Sequence, residues 1–259
     1  MDKKEKQFPY RFFITTFVWS WTFWIFLILF SNRFLFFPFF ILGAFGPLIG
    51  AITSVYCNEG KEYVKVFLKK FLDLRIGWKG FVMPILILGG CTFFAWILPE
   101  LFGQSRLSML LPSIWVFFPC LLFMFFLGGG QEEFGWRGYA LPILEEKYGI
   151  WAANLILGII WACWHLPLWF IEGTNQVYMN FIGFVILCIG YSYIFSWFIK
   201  ISHNKPIAGI YAHGLANAFI PIMPVFVTQE FVPQPRYWIW VTSTLFIGIV
   251  ITLFRKKNI

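Results

Sequence analysis

Eight apolar stretches of near-membrane length fill this sequence and leave little else. A helix crossing the hydrocarbon core of a bilayer needs about 20 mostly apolar residues. Segments 12–31, 35–56, 81–99, 111–130, 150–171, 179–199, 206–226 and 237–254 meet that requirement. Only 12% of residues are charged, against roughly 25% in soluble domains, so no water-facing surface can be built. The expected fold class is all-α, a polytopic membrane protein with about eight transmembrane helices. It forms a single membrane-embedded domain over 1–259, with no room for a soluble domain, no tandem repeat and no low-complexity tail. The start, MDKKEKQFPYR, runs into an apolar stretch without a small-residue cleavage site. It reads as a retained first span.

A net charge of +8 raises nucleic acid or anionic lipid as a partner. The charges fall at the edges of the apolar segments, which marks topology and argues against a nucleic-acid face. Membrane lipids are therefore partners and nucleic acid is not. Of the 20 Lys and Arg residues, all but Arg33, Arg106 and Arg236 lie on the side shared by both termini if eight spans are drawn. The positive-inside rule makes that side cytoplasmic, in a multi-pass cell-membrane protein. In the connection 57–80, Val64, Phe67, Leu68 and Phe71 recur at helical spacing, with Lys61, Lys65 and Lys69 on another face. That pattern predicts an amphipathic helix on the cytoplasmic leaflet. Cys57, Cys91, Cys120, Cys163 and Cys188 are widely spaced and contain no C-x-x-C pair, which argues against a cysteine zinc site or disulfide framework.

Ionisable groups inside spans are costly and are functional candidates. Three clusters qualify. In GGGQEEFGWRGYALP, Glu132 lies about 12 residues, roughly 18 Å of helix, from the polar Glu145-Glu146-Lys147 edge. A stretch from 111 to 144 is too long for one straight span, so Gly128-Gly129-Gly130 predicts a break and Pro142 a second. Glu133 and Arg137 are four apart and predict an ion pair, which leaves Glu132 free as a base. In WACWHLPLW, His165 is deep in its segment, and Pro167 frees a carbonyl near Cys163. In AGIYAHGLANAF, His213 and Asn217 share a face among small residues. A carboxylate, two imidazoles and an amide on three spans can activate water and hold an oxyanion. They can equally ligate a divalent metal such as zinc through Glu132, His165 and His213. No H-E-x-x-H occurs.

Glu132-Glu133-x-x-x-Arg137, Trp161-x-x-x-His165 and His213-x-x-x-Asn217, in this order, resemble the three motifs of the CPBP family. These are membrane proteases that include type II CAAX prenyl endopeptidases and bacterial Abi proteins. The second motif often has Phe where this chain has Trp161. Looser resemblance extends to Phe45-Gly46-Pro47 and LDLRIGWKG. The resemblance implies eight helices around a cavity open to the cytoplasm and endopeptidase action on membrane-associated proteins or peptides. It makes Glu132 the base, assisted by His165, with His213 and Asn217 as oxyanion donors and Glu133 and Arg137 in support. It leaves metal dependence open, and the lack of a further strong ligand favours metal-free chemistry. The alternative is a non-catalytic bacteriocin-immunity or scaffold protein. A transporter is disfavoured, because no matching pair of broken segments appears in two halves.

Overall fold

The computed structural model describes residues 8–30, 33–229 and 232–254. Every regular element among them is helical. Helices α1 (Tyr10–Phe30), α2 (Arg33–Ala44), α3 (Gly46–Glu59), α4 (Lys61–Lys69), α5 (Gly77–Ile97) and α6 (Phe117–Phe126) form the first half. A three-residue turn α7 (Glu133–Gly135), then α8 (Leu141–Trp164), α9 (Phe181–Ile201), α10 (Ile207–Phe219) and α11 (Pro235–Leu253) form the second. The chain is an all-α, multi-pass membrane protein.

The expected count of eight spans needs correction. Among the described residues, five helical stretches are long and apolar enough to cross a bilayer: Tyr10–Phe30, Gly77–Phe102, Ile114–Phe170, Phe181–Ile201 and Pro235–Leu253. A sixth is possible if α2 and α3, bent by 41° at their junction, form one broken span. The reason is length. The predicted segment 111–130 yields only the 10 residues of α6, roughly 15 Å of helix. Segment 206–226 yields the 13 residues of α10, roughly 20 Å. The stretch Ile114–Phe170 is not straight. It breaks at Gly129 (φ 126, ψ −34) and again at Gly149 (φ 74, ψ 169). The glycine break was expected; the second was expected at Pro142. Pro142 instead sits in the first turn of α8, where a missing N–H costs nothing.

The helices pack as three groups around the broken stretch. Helix α1 lies along α2 and α3, where Ser20 Oγ donates to the Gly43 carbonyl at 2.7 Å. Helix α9 is sandwiched between α8 and α11, and α10 is wedged among α5, α6 and α9. Helix α4 and the 3-10 turn Lys70–Leu72 after it have the predicted faces, with Lys61, Lys65 and Lys69 exposed and Phe67 and Phe71 buried. The apolar side packs on protein: Phe71 stacks on Phe134 at 4.0 Å between ring centroids. The linker after it is tied down by Asp73, which accepts from Arg75 at 2.7 Å and from Lys205 at 2.5 Å.

Two of the cations used to orient the chain prove not to be surface charges. Arg137 is buried in an ion pair. Arg236 is buried on the Trp96 and Ser105 carbonyls at 3.0 and 2.9 Å. Lys3, Lys4, Lys6, Arg255, Lys256 and Lys257 lie outside the described residues.

Candidate active site

The break at Gly129 delivers the acidic cluster. After it, Gly130–Glu132 turn as a 3-10 helix, and Trp136–Ala140 widen into a π-helical turn before α8 begins. Such turns recur at functional sites. Here they aim Glu132 and Glu133 at different partners. Glu133 Oε1 accepts from Arg137 Nη1 at 2.9 Å, with both side chains 0% exposed. This is the predicted pair. The same oxygen lies 2.8 Å from Nδ1 of His213, contributed by α10. The Arg137 guanidinium is sandwiched, 4.3 Å from the Trp161 ring and 5.0 Å from Phe195.

Glu132 faces the other way. Its Oε2 accepts from the indole N–H of Trp136 at 3.1 Å and of Trp161 at 2.8 Å. Its Oε1 stands 4.0 Å from His165 Nε2. His165 caps the end of α8, followed by the 3-10 turn Leu166–Phe170 that holds Pro167. Because the helix ends there, the His165 N–H bonds back to the Ala162 carbonyl. The Trp161 carbonyl is left for the imidazole, and His165 Nδ1 lies 2.9 Å from it. A carbonyl can only accept, so Nδ1 carries the proton and Nε2 presents a lone pair toward Glu132.

His213 is buried and Asn217 half-buried, and both face the glycine break. Asn217 Nδ2 donates to the Gly128 carbonyl at 2.7 Å. A Cβ on Gly129 would lie 2.5 Å from His213 Nε2 and 2.7 Å from Asn217 Nδ2. The structure thus gathers all six residues singled out in the sequence, Glu132, Glu133, Arg137, His165, His213 and Asn217, at one crossing of α7, α8 and α10. Trp136 was missed as a member, although it follows Glu132 at the same four-residue spacing that flagged Arg137 after Glu133. Trp161 was noted only as a motif position. The hollow of about 570 Å³ beside Arg11, Asn58, Lys70 and Tyr139 does not reach this site. Phe12, which lines it, meets Trp136 edge-on at 5.4 Å.

Of the three candidate metal ligands, Glu132 accepts two N–H donors at Oε2 and His213 has Nδ1 on Glu133, so the atoms left to bind an ion are Glu132 Oε1, His165 Nε2 and His213 Nε2. Among the described residues, no three His, Cys, Asp or Glu side chains converge to hold an ion.

A family model described as type II CAAX prenyl endopeptidase Rce1-like matches residues 112–219, the stretch from before the glycine break to the end of α10. Over that stretch the chain is similar to the CAAX protease/Abi (CPBP) family. One similar protein is CAAX prenyl protease 2 of Methanococcus maripaludis. It is 25% identical over 231 residues, covering 84% of this chain and 85% of the relative. A second is lysostaphin resistance protein A of Staphylococcus haemolyticus, 25% identical over 156 residues, which covers 58% of this chain and 38% of that protein. The similarity brings the buried Glu and His pairs of this chain into line with a hydrolase-type membrane fold.

Proposed function

We infer that this protein is a CPBP-type intramembrane endopeptidase that cleaves membrane-associated proteins or peptides with a glutamate-activated water. The observation that carries it is the 4.0 Å gap between Glu132 Oε1 and His165 Nε2. That gap is too long for a direct hydrogen bond and fits one water bonded to both. A water there meets two acceptors, so both protons are directed inward and an oxygen lone pair faces outward. Glu132 Oε1 takes one proton as the water oxygen bonds to the peptide carbonyl carbon. The tetrahedral intermediate then collapses: the C–N bond breaks, and Glu132 returns the proton to the leaving amine.

The donors for the oxyanion are His213 Nε2 and the second N–H of the Asn217 amide, the first being engaged by Gly128. Nε2 donates once the ring carries both protons, and the Glu133 carboxylate at Nδ1 balances that charge. Arg137 anchors Glu133. The names of the relatives point to prenylated CAAX sequences as the first substrate class to test. The same proposal keeps the apolar segments 111–130 and 206–226 in the bilayer as short or broken elements, with both termini cytoplasmic.

The deciding experiment compares new N-termini in membranes from cells carrying the wild-type protein or Glu132→Gln. The peptidase reading expects a defined set of termini to vanish in the variant while the protein stays folded. A non-catalytic resistance role has one observation in its favour, the similarity to lysostaphin resistance protein A. It expects identical termini and full cellular function in Glu132→Gln, which would end the enzyme reading.

A further inference from the structure

One indole touches three of the polar side chains in the site. Trp161 donates its N–H to Glu132 Oε2 at 2.8 Å, lies under the Arg137 guanidinium at 4.3 Å, and meets the His213 ring edge-on at 5.2 Å. Its own carbonyl is the group that fixes the His165 tautomer. Trp136 adds a second N–H to the same Oε2 at 3.1 Å. A free carboxylate rotates between two equivalent orientations, because a terminal sp³–sp² torsion is broad and two-fold. Two indoles on one oxygen remove that equivalence. Oε2 is left as the acceptor of fixed bonds, and Oε1 is left as the atom facing His165. In an apolar site these bonds favour the ionised form more strongly than they would in bulk water.

We propose that Trp161, supported by Trp136, is a positioning residue that selects Glu132 Oε1 as the proton-accepting atom and holds the carboxylate in its working orientation and ionised form. The proposal rests on the peptidase reading above and deepens it. Phe at position 161 would keep an aromatic face under Arg137 but bring no N–H. The donor is therefore separable from the packing.

The test uses the full-length protein purified in lipid nanodiscs. The probe is a membrane extract of its host, read by the rate at which the Glu132-dependent N-termini appear, with kcat and KM taken from the extract dilution series. Two variants are compared: Trp161→Phe, and the chain with β-(3-benzothienyl)alanine at position 161, which keeps the indole shape and replaces N–H with sulfur. Both should lose about 10- to 100-fold in kcat, the worth of one hydrogen bond to a charged group, with KM unchanged. In both, the acid limb of the pH–rate profile should move to higher pH, because a bond favouring the ionised carboxylate is gone. Trp136→Phe should move both quantities the same way by less. Wild-type kcat and an unmoved acid limb in the benzothienyl variant would overturn the proposal and leave Trp161 as packing alone, even if Trp161→Phe is slow or fails to fold. Persistence of the same termini in Glu132→Gln would instead remove the peptidase reading on which the proposal stands.

Discussion

At the scale of single residues, Arg137 and Asn217 separate structural from catalytic support. Truncating Arg137 leaves the Glu133 carboxylate buried without its cation, a loss of about 3–5 kcal/mol when one partner of a buried pair is removed. Arg137→Ala should therefore give little folded protein in detergent, read as yield of monodisperse material and a lower melting temperature. Arg137→Lys should recover part of that yield, since the charge returns without the flat face that lies between Trp161 and Phe195. Asn217 behaves differently because it is half-buried and bonded to one neutral carbonyl. Asn217→Ala should cost only about 1 kcal/mol of stability. As an oxyanion donor it should cost about 10²–10³ in kcat. Equal, small effects on melting and rate would assign Asn217 to the glycine break alone.

At the scale of elements, the two left-handed glycines make a matched pair. Gly129 and Gly149 both have positive φ, but their surroundings differ. Nothing lies within 4 Å of a Cβ built on Gly149. Gly149→Ala should lose about 1–2 kcal/mol from backbone strain and keep its activity. A methyl on Gly129 would press on His213 and Asn217, so Gly129→Ala should abolish turnover, and a folded but inactive protein is the expected outcome. Equal activity in the two variants would show that the break tolerates movement. The Gly129 break was legible in the sequence because charged residues follow directly on an apolar run too long for one helix. Gly149 was not legible. It follows the polar Glu145–Tyr148 patch, where a change of direction leaves no mark in hydropathy. The Glu133–Arg137 pair was legible because helical spacing is local. The contact of His213 with Glu133 spans 80 positions of sequence, and no local pattern reports it.

For the molecule as a whole, hydropathy fixed the class and overstated the number of full-length helices, since a 20-residue apolar window does not distinguish a spanning helix from a short helix flanked by apolar loop. The linker between α4 and α5 gives a test of how the halves are held. The Arg75 guanidinium, and after it Lys205, hold the Asp73 carboxyl well below the usual carboxylate range. A depressed folded-state pKa contributes stability that is present above the unfolded value, about 4, and is lost as pH falls through the folded one. Asp73→Asn should therefore melt below wild type by a constant, small margin at neutral pH. The margin should shrink only below about pH 4. High salt should narrow it as well. For orientation, a reporter fused after Ile259 should be active on the cytoplasmic side; activity confined to the outside would reverse the topology.

The burial of Glu132, Glu133 and Arg137 also bears on how such a chain is made. Each charged residue at the centre of a helix adds about 2.5–3.5 kcal/mol to membrane insertion. The stretch between Gly130 and Ala140 enters with three of them and only one internal pair. Its remaining partners, Trp161 and His165 at the end of α8 and His213 on α10, are translated later. During synthesis, then, this stretch is a poor client for insertion on its own and a good one once α10 has emerged, so biogenesis of the active site is a concerted late event. A ribosome halted before Ile207 should hold residues 130–140 accessible to a water-borne label, and one halted well beyond Phe219 should not.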